Sequence, residues 1–199
     1  MTNSPFPLKL RSTRRWERFQ NCAWTCHSCG EVHKGVFDIV YDKPVIWADS
    51  TNRVSNSDLM PFSTDFLSDD FCILKGEHYF VRCVLELPIL DTSGGRLGFG
   101  VWSSLSEENF AVYVESFNSD DQGALGPWFG WFSNRLKGYP DTLNLKCQVN
   151  PRNGRRRPLI ELEHTDHPLA RDQRKGVSID RLIEVYAAYG HDLRAALSD

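Results

Sequence analysis

The stretch HYFVRCVLEL (78–87) constrains the fold more than any other part of the chain. Tyr79, Val81, Cys83, Leu85 and Leu87 alternate onto one face, a period of two that a strand satisfies and a helix does not. That face is expected against the core. His78, Arg82 and Glu86 fall on the other face, which is expected to be at least partly wet. FCIL (71–74) and a KGE turn come just before, so the two runs predict a hairpin. Pro88 ends the ladder or marks an edge.

A second pair follows the same logic. In LNLKCQV (143–149), Leu143, Leu145, Cys147 and Val149 share one face, and Asn144, Lys146 and Gln148 the other. A turn containing Asn153-Gly154 leads to PLIELE (158–163), with Ile160 and Leu162 facing in. LGFGVWSSL (97–105) and the short VFDIVY (36–41) are further strand candidates. Residues 48–70 are rich in Ser, Asp and Asn and read as a long surface segment.

The period changes after Ser106. This residue is a good N-cap, Glu107 and Glu108 suit the positive end of the helix dipole, and Leu105 with Phe110 fits a hydrophobic staple. A helix is predicted over 106–117. Ser178 caps a last helix, in which Ile179, Leu182, Ile183 and Tyr186 form one stripe. Gly190 ends it, unless Leu193 and Leu197 carry the stripe onward. Hairpins with helices kept apart from them imply an α+β domain built on an antiparallel sheet.

No repeat and no linker divides the chain, so residues 21–199 read as one domain behind a basic arm, 1–20, expected to be flexible. The Arg-rich arm overlaps weakly with a transit peptide, but a solvated arm is the plainer reading. With 199 residues, 41% of them hydrophobic, a sizeable core is within reach. A net charge of −3 offers no electrostatic case for nucleic acid. No apolar run is long enough to span a bilayer, and no apolar middle of a secretory signal is present, so a cytoplasmic setting with reduced cysteines is expected.

Three of the six cysteines, Cys22, Cys26 and Cys29, cluster; Cys72, Cys83 and Cys147 are scattered. CHSCGEVH (26–33) has the two-residue gap that lets two thiolates reach one ion while backbone N–H groups hydrogen-bond the sulfurs. Gly30 permits the tight turn. His33 is near enough to be a third ligand. A redox pair needs a strand-to-helix setting that is missing here, and two unliganded thiols are the other alternative. No second Cys-x-x-Cys completes a site. Among His167, Cys22, Cys83 and Cys147 as fourth ligand, His167 is favoured, because HTDH (164–167) lies in a loop and the two strand cysteines face the core. His27 is expected to face solvent.

CHSCGEVHKG, DDFCIL, YFVRCVLELPI, WSSLSEENF, FGWFSNRLKGYPDTLNLK, RPLIELEHTDHPLA and KGVSIDR occur in this order. Together they resemble the bacterial domain-of-unknown-function 2199 family, from about Trp24 to Tyr186. The resemblance implies no activity. Cys26, Cys29, Gly30 and His33 match its opening motif, and Asp166, His167 and Pro168 its Asp-His-Pro element. Cys22 and His164 stand outside the motif, and the arm before Trp24 departs from the family's short start.

Trp128, Phe129, Trp131 and Phe132 read first as core. The functional alternative is a pocket walled by Trp128 and Trp131, with Asn134 and Arg135 at its polar rim. Arg155, Arg156 and Arg157 at a hairpin tip read as a solvated turn. Asp166 and His167 are neighbours in extended chain and do not face each other, and nucleophile, P-loop and dinucleotide signatures are absent. The sequence therefore points to a zinc-stabilised module that binds a protein or small molecule. A metal-dependent hydrolase with an open zinc site, and an immunity- or antitoxin-like protein, are the alternatives.

Overall fold

The computed structural model describes residues 8–21, 23–26, 28–48, 53–58 and 65–193. In chain order its elements are α1 (Leu8–Asn21), β1 (Ala23–Thr25), β2 (Val32–Lys34), β3 (Ile39–Val40), β4 (Phe66–Leu67), β5 (Phe71–Leu74), β6 (His78–Pro88), β7 (Arg96–Leu105), α2 (Glu107–Ser116), β8 (Trp128–Trp131), β9 (Lys146–Arg152), β10 (Arg156–Leu162), α3 (Pro168–Lys175) and α4 (Ile179–Ala188). β1 and β2 form a small hairpin of their own. The rest join one sheet in the order β3-β7-β6-β10-β9-β8, with β5 and then β4 continuing from the start of β6.

This is the expected α+β class, but the sheet is mixed. The hairpins β5–β6, β6–β7 and β9–β10 are antiparallel, whereas β10 lies parallel to β6 and β3 parallel to β7. Both parallel neighbours are distant in sequence, and only a long connection allows that direction.

The alternation in β6 has the effect read from it. Val81, Cys83, Leu85 and Leu87 have no exposure, and Tyr79 has 5%. The opposite face is drier than expected. His78 is exposed, but Phe80 joins Trp47, Leu67, Cys72 and Trp102 in a second, smaller core. Arg82 is buried beside it, donating to the Asp69 carbonyl at 3.2 Å and lying 3.7 Å from Asp42.

The sheet curls so that the end of β8 returns to β7. Phe132 bridges Ser103, the Trp131 N–H donates to Ser104 Oγ at 3.1 Å, and the Ser133 N–H donates to the Trp102 carbonyl at 2.9 Å. Gly130 makes this approach workable, since a Cβ there would meet the Ser104 carbonyl oxygen at 2.5 Å.

Ser106 caps α2 through Asn109 N–H, and both staple residues are buried. β9 starts later than LNLKCQV suggests, because Leu145 N–H bonds back to Thr142 and Asn144 takes a positive φ of 61°. Helix α3 has little signature in the sequence, since PLARDQRK offers few apolar positions for a stripe. Its signal was Pro168 in the first turn. The segment read as a flexible arm carries α1, whose Phe19 is 1% exposed and whose Arg15 pairs with Asp180 at 3.0 Å. Residues 1–7 of the arm and 49–52 and 59–64 of the surface segment lie outside the described residues. Among those described, no helix is long and apolar enough to cross a membrane.

Candidate metal centre

Backbone bonds shape the turn between β1 and β2. Cys26 N–H donates to the Glu31 carbonyl at 2.9 Å, and Gly30 N–H to the Cys26 carbonyl at 2.8 Å. Gly30 has φ +74°, with nothing within 4 Å of where a Cβ would stand. Its role is therefore conformational freedom rather than space. The turn carries Cys26 and Cys29. His33 follows on β2 opposite Trp24, and its ring stacks on Phe37 with centroids 4.3 Å apart.

The fourth donor comes from the other end of the described chain. α4 ends in a Schellman motif: Gly190 takes φ +85°, its N–H donates to Ala187, and the His191 N–H donates to the Tyr186 carbonyl at 2.9 Å. This fixes the backbone of His191. The Tyr186 hydroxyl, meanwhile, donates to the Phe37 carbonyl at 2.7 Å and accepts the Phe37 N–H at 3.0 Å, which holds the segment after β2 against α4.

Cys26, Cys29, His33 and His191 thus come together, with one donor atom from each within 4.8 Å of all the others. Cys26 Sγ lies 3.8 Å from His191 Nδ1, Cys29 Sγ 3.7 Å from the same nitrogen, and Cys29 Sγ 3.2 Å from His33 Nε2. In a zinc tetrahedron, bonds of about 2.3 Å to sulfur and 2.0–2.1 Å to nitrogen put sulfur and nitrogen roughly 3.6 Å apart. The donor set is therefore close to the size of a metal shell. Two thiolates and two neutral imidazoles also balance the charge of a dication.

Burial pushes the Cys26 thiol up. The Cys29 backbone N–H, the His191 ring and the backbone N–H groups of Ser28 and Asp192 outweigh it, and bring the thiol from 9.0 down to about 6. Donors aimed at a sulfur in this way favour the thiolate, the form a metal requires.

The fold brings Cys26, Cys29 and His33 together, and places His167 elsewhere. His167 is the N-cap of α3, where its Nδ1 accepts the Leu169 N–H at 3.2 Å. Its Nε2 is buried without a hydrogen-bond partner among the described residues. The physical reason is local: Pro168 starts a helix immediately after it, and the ring serves that helix. Cys83 and Cys147 are buried strand residues, and Cys22 and His27 lie outside the described residues.

The aromatic segment does not bring the four pocket candidates together on one face. β8 alternates, so Trp128 turns inward onto Tyr113, with centroids 6.0 Å apart, while Trp131 faces out beside Phe129. Asn134 is 2% exposed, and its amide bridges the Trp102 N–H and the Lys43 carbonyl. Arg135 pairs with Asp141 at the surface. Two clefts, of about 310 and 270 Å³, lie over β9 and β10 and share Glu161, Leu162 and His164; none of the four pocket candidates lines them. The basic run at the hairpin tip is paired, Arg155 with Asp120 and Arg157 with Asp70.

Searches of curated proteins and of solved structures return no match. A family profile does match, over residues 25–177, which takes in Cys26, Cys29 and His33 and stops short of His191. The chain belongs to the DUF2199 family, described as uncharacterised proteins conserved in bacteria.

Proposed function

We propose that this protein is a zinc-stabilised binding module, in which Cys26, Cys29, His33 and His191 hold one structural zinc ion. One observation carries the reading: two sulfurs and two ring nitrogens, drawn from opposite ends of the described chain, gather within 4.8 Å. Four protein donors fill a tetrahedral shell, leaving no position for the water a hydrolase activates. The zinc is then a clasp between the β1–β2 hairpin and the end of α4, and partner contact falls to other surfaces, such as the exposed pair Phe129 and Trp131. Such a site needs reduced thiols, which fits a cytoplasmic setting.

Cobalt substitution tests the closed shell. Protein reconstituted with Co²⁺ should show the intense visible bands of a four-coordinate S₂N₂ site, unchanged by added azide or cyanide. A spectrum that shifts on adding those anions would reveal an open position and favour hydrolytic chemistry.

A further inference from the structure

The two sulfurs of this donor set differ sharply in access. Cys29 is exposed on the turn, while Cys26 behind it has no exposure. Only two residues separate them, and their sulfurs lie within 4.8 Å of each other. The other described cysteines, Cys72, Cys83 and Cys147, are buried in strands. Among the described cysteines, an oxidant in solution therefore meets Cys29 first, with a second sulfur already beside it.

Building on the metal reading above, we infer that Cys29 and Cys26 form a peroxide-operated release: their oxidation to a disulfide discharges the metal and opens the clasp. The Cys29 thiolate attacks a peroxide oxygen; the S–O bond forms, the O–O bond breaks and hydroxide leaves. The Cys26 thiolate then attacks the Cys29 sulfur; the S–S bond forms, the S–O bond breaks and a second hydroxide leaves. The two sulfurs give up two electrons and hydrogen peroxide takes them. The dication loses both anionic donors, and His33 and His191 alone hold it weakly.

Release loosens the molecule rather than unfolding it. After His191 is freed, the Tyr186–Phe37 hydrogen bonds still tie the segment after β2 to α4, and the Arg15–Asp180 pair still ties α1 to the first turn of α4. The change is confined to the β1–β2 turn and the end of α4, so amide exchange should rise there and not in β6 or β7.

The test titrates the protein as isolated with hydrogen peroxide and follows zinc with a chromogenic chelator. Peptide mass mapping of the product identifies the disulfide. One zinc should be released per Cys26–Cys29 disulfide, and dithiothreitol with added zinc should restore the starting state. In Cys26→Ser, dimedone should trap a sulfenic acid on Cys29. Zinc retained in excess peroxide, a disulfide mapped to another pair, or Cys29 driven to the sulfinic acid with no disulfide would each overturn the inference alone. Protein with no metal at the outset would overturn it together with the zinc reading.

Discussion

His191 Nδ1 stands 3.8 Å from Cys26 Sγ across 165 positions of sequence. The contact joins the β1–β2 hairpin to the end of α4, the first hairpin and the last helix among the described residues. A metal held there closes the fold, and its loss should be felt as a loss of stability.

Replacing Cys26 and Cys29 together with serine should remove the metal and lower the melting temperature. Zinc at a hundredfold excess over its dissociation constant stabilises a protein by about 2.7 kcal/mol. A chelator should lower the melting temperature of the native protein and leave that of the double variant where it is. Equal responses from the two proteins would detach the chelator effect from this site.

His191→Ala and His167→Ala separate two histidines that sequence alone confuses. The first should lower zinc content and affinity. The second should keep one zinc per chain and lose about 1 kcal/mol, the usual worth of an N-cap. Zinc analysis and thermal melts of both variants check this, and zinc lost from His167→Ala with zinc kept in His191→Ala would reverse the assignment.

That confusion shows what the sequence could carry. Cys26, Cys29 and His33 were legible because one tight turn brings them together, and spacing encodes a tight turn. His191 sits 162 positions from Cys29, and the docking of Tyr186 on α4 against Phe37, just after β2, brings the two close. Gly190 was the local trace, since a glycine ending a helix fixes where the next residue goes. The hairpins around β6 and β10 were readable from alternation. Their neighbours in the sheet were not, because pairing over long separations leaves no local pattern. α3 has almost no apolar stripe, and Arg82 is buried by a loop whose course the sequence does not indicate.

Asn134 and Arg135 should behave oppositely to adjacent rim residues of a pocket. Asn134→Ala leaves the Trp102 N–H without its acceptor inside the protein, a cost of about 1–3 kcal/mol. Arg135→Ala breaks an exposed ion pair worth at most about 1 kcal/mol. Urea unfolding midpoints of the two variants give the comparison.

Gly130→Ala tests how the sheet closes. The added methyl group meets Ser103 Oγ and the Ser104 carbonyl, and backbone is slow to give way. A destabilisation of about 1–3 kcal/mol is expected, as for an overfilled core. Gly154→Ala, where nothing lies within 4 Å but φ is +73°, reports backbone strain alone and serves as the comparison.

X-ray absorption at the zinc edge tests the four-donor assignment most directly. Protein purified without chelator should contain one zinc with two sulfur neighbours at about 2.3 Å and two imidazole nitrogens at about 2.0–2.1 Å. His191→Ala should lose one of the nitrogens. A first shell holding fewer than two sulfurs, or one left unchanged by His191→Ala, would contradict the account.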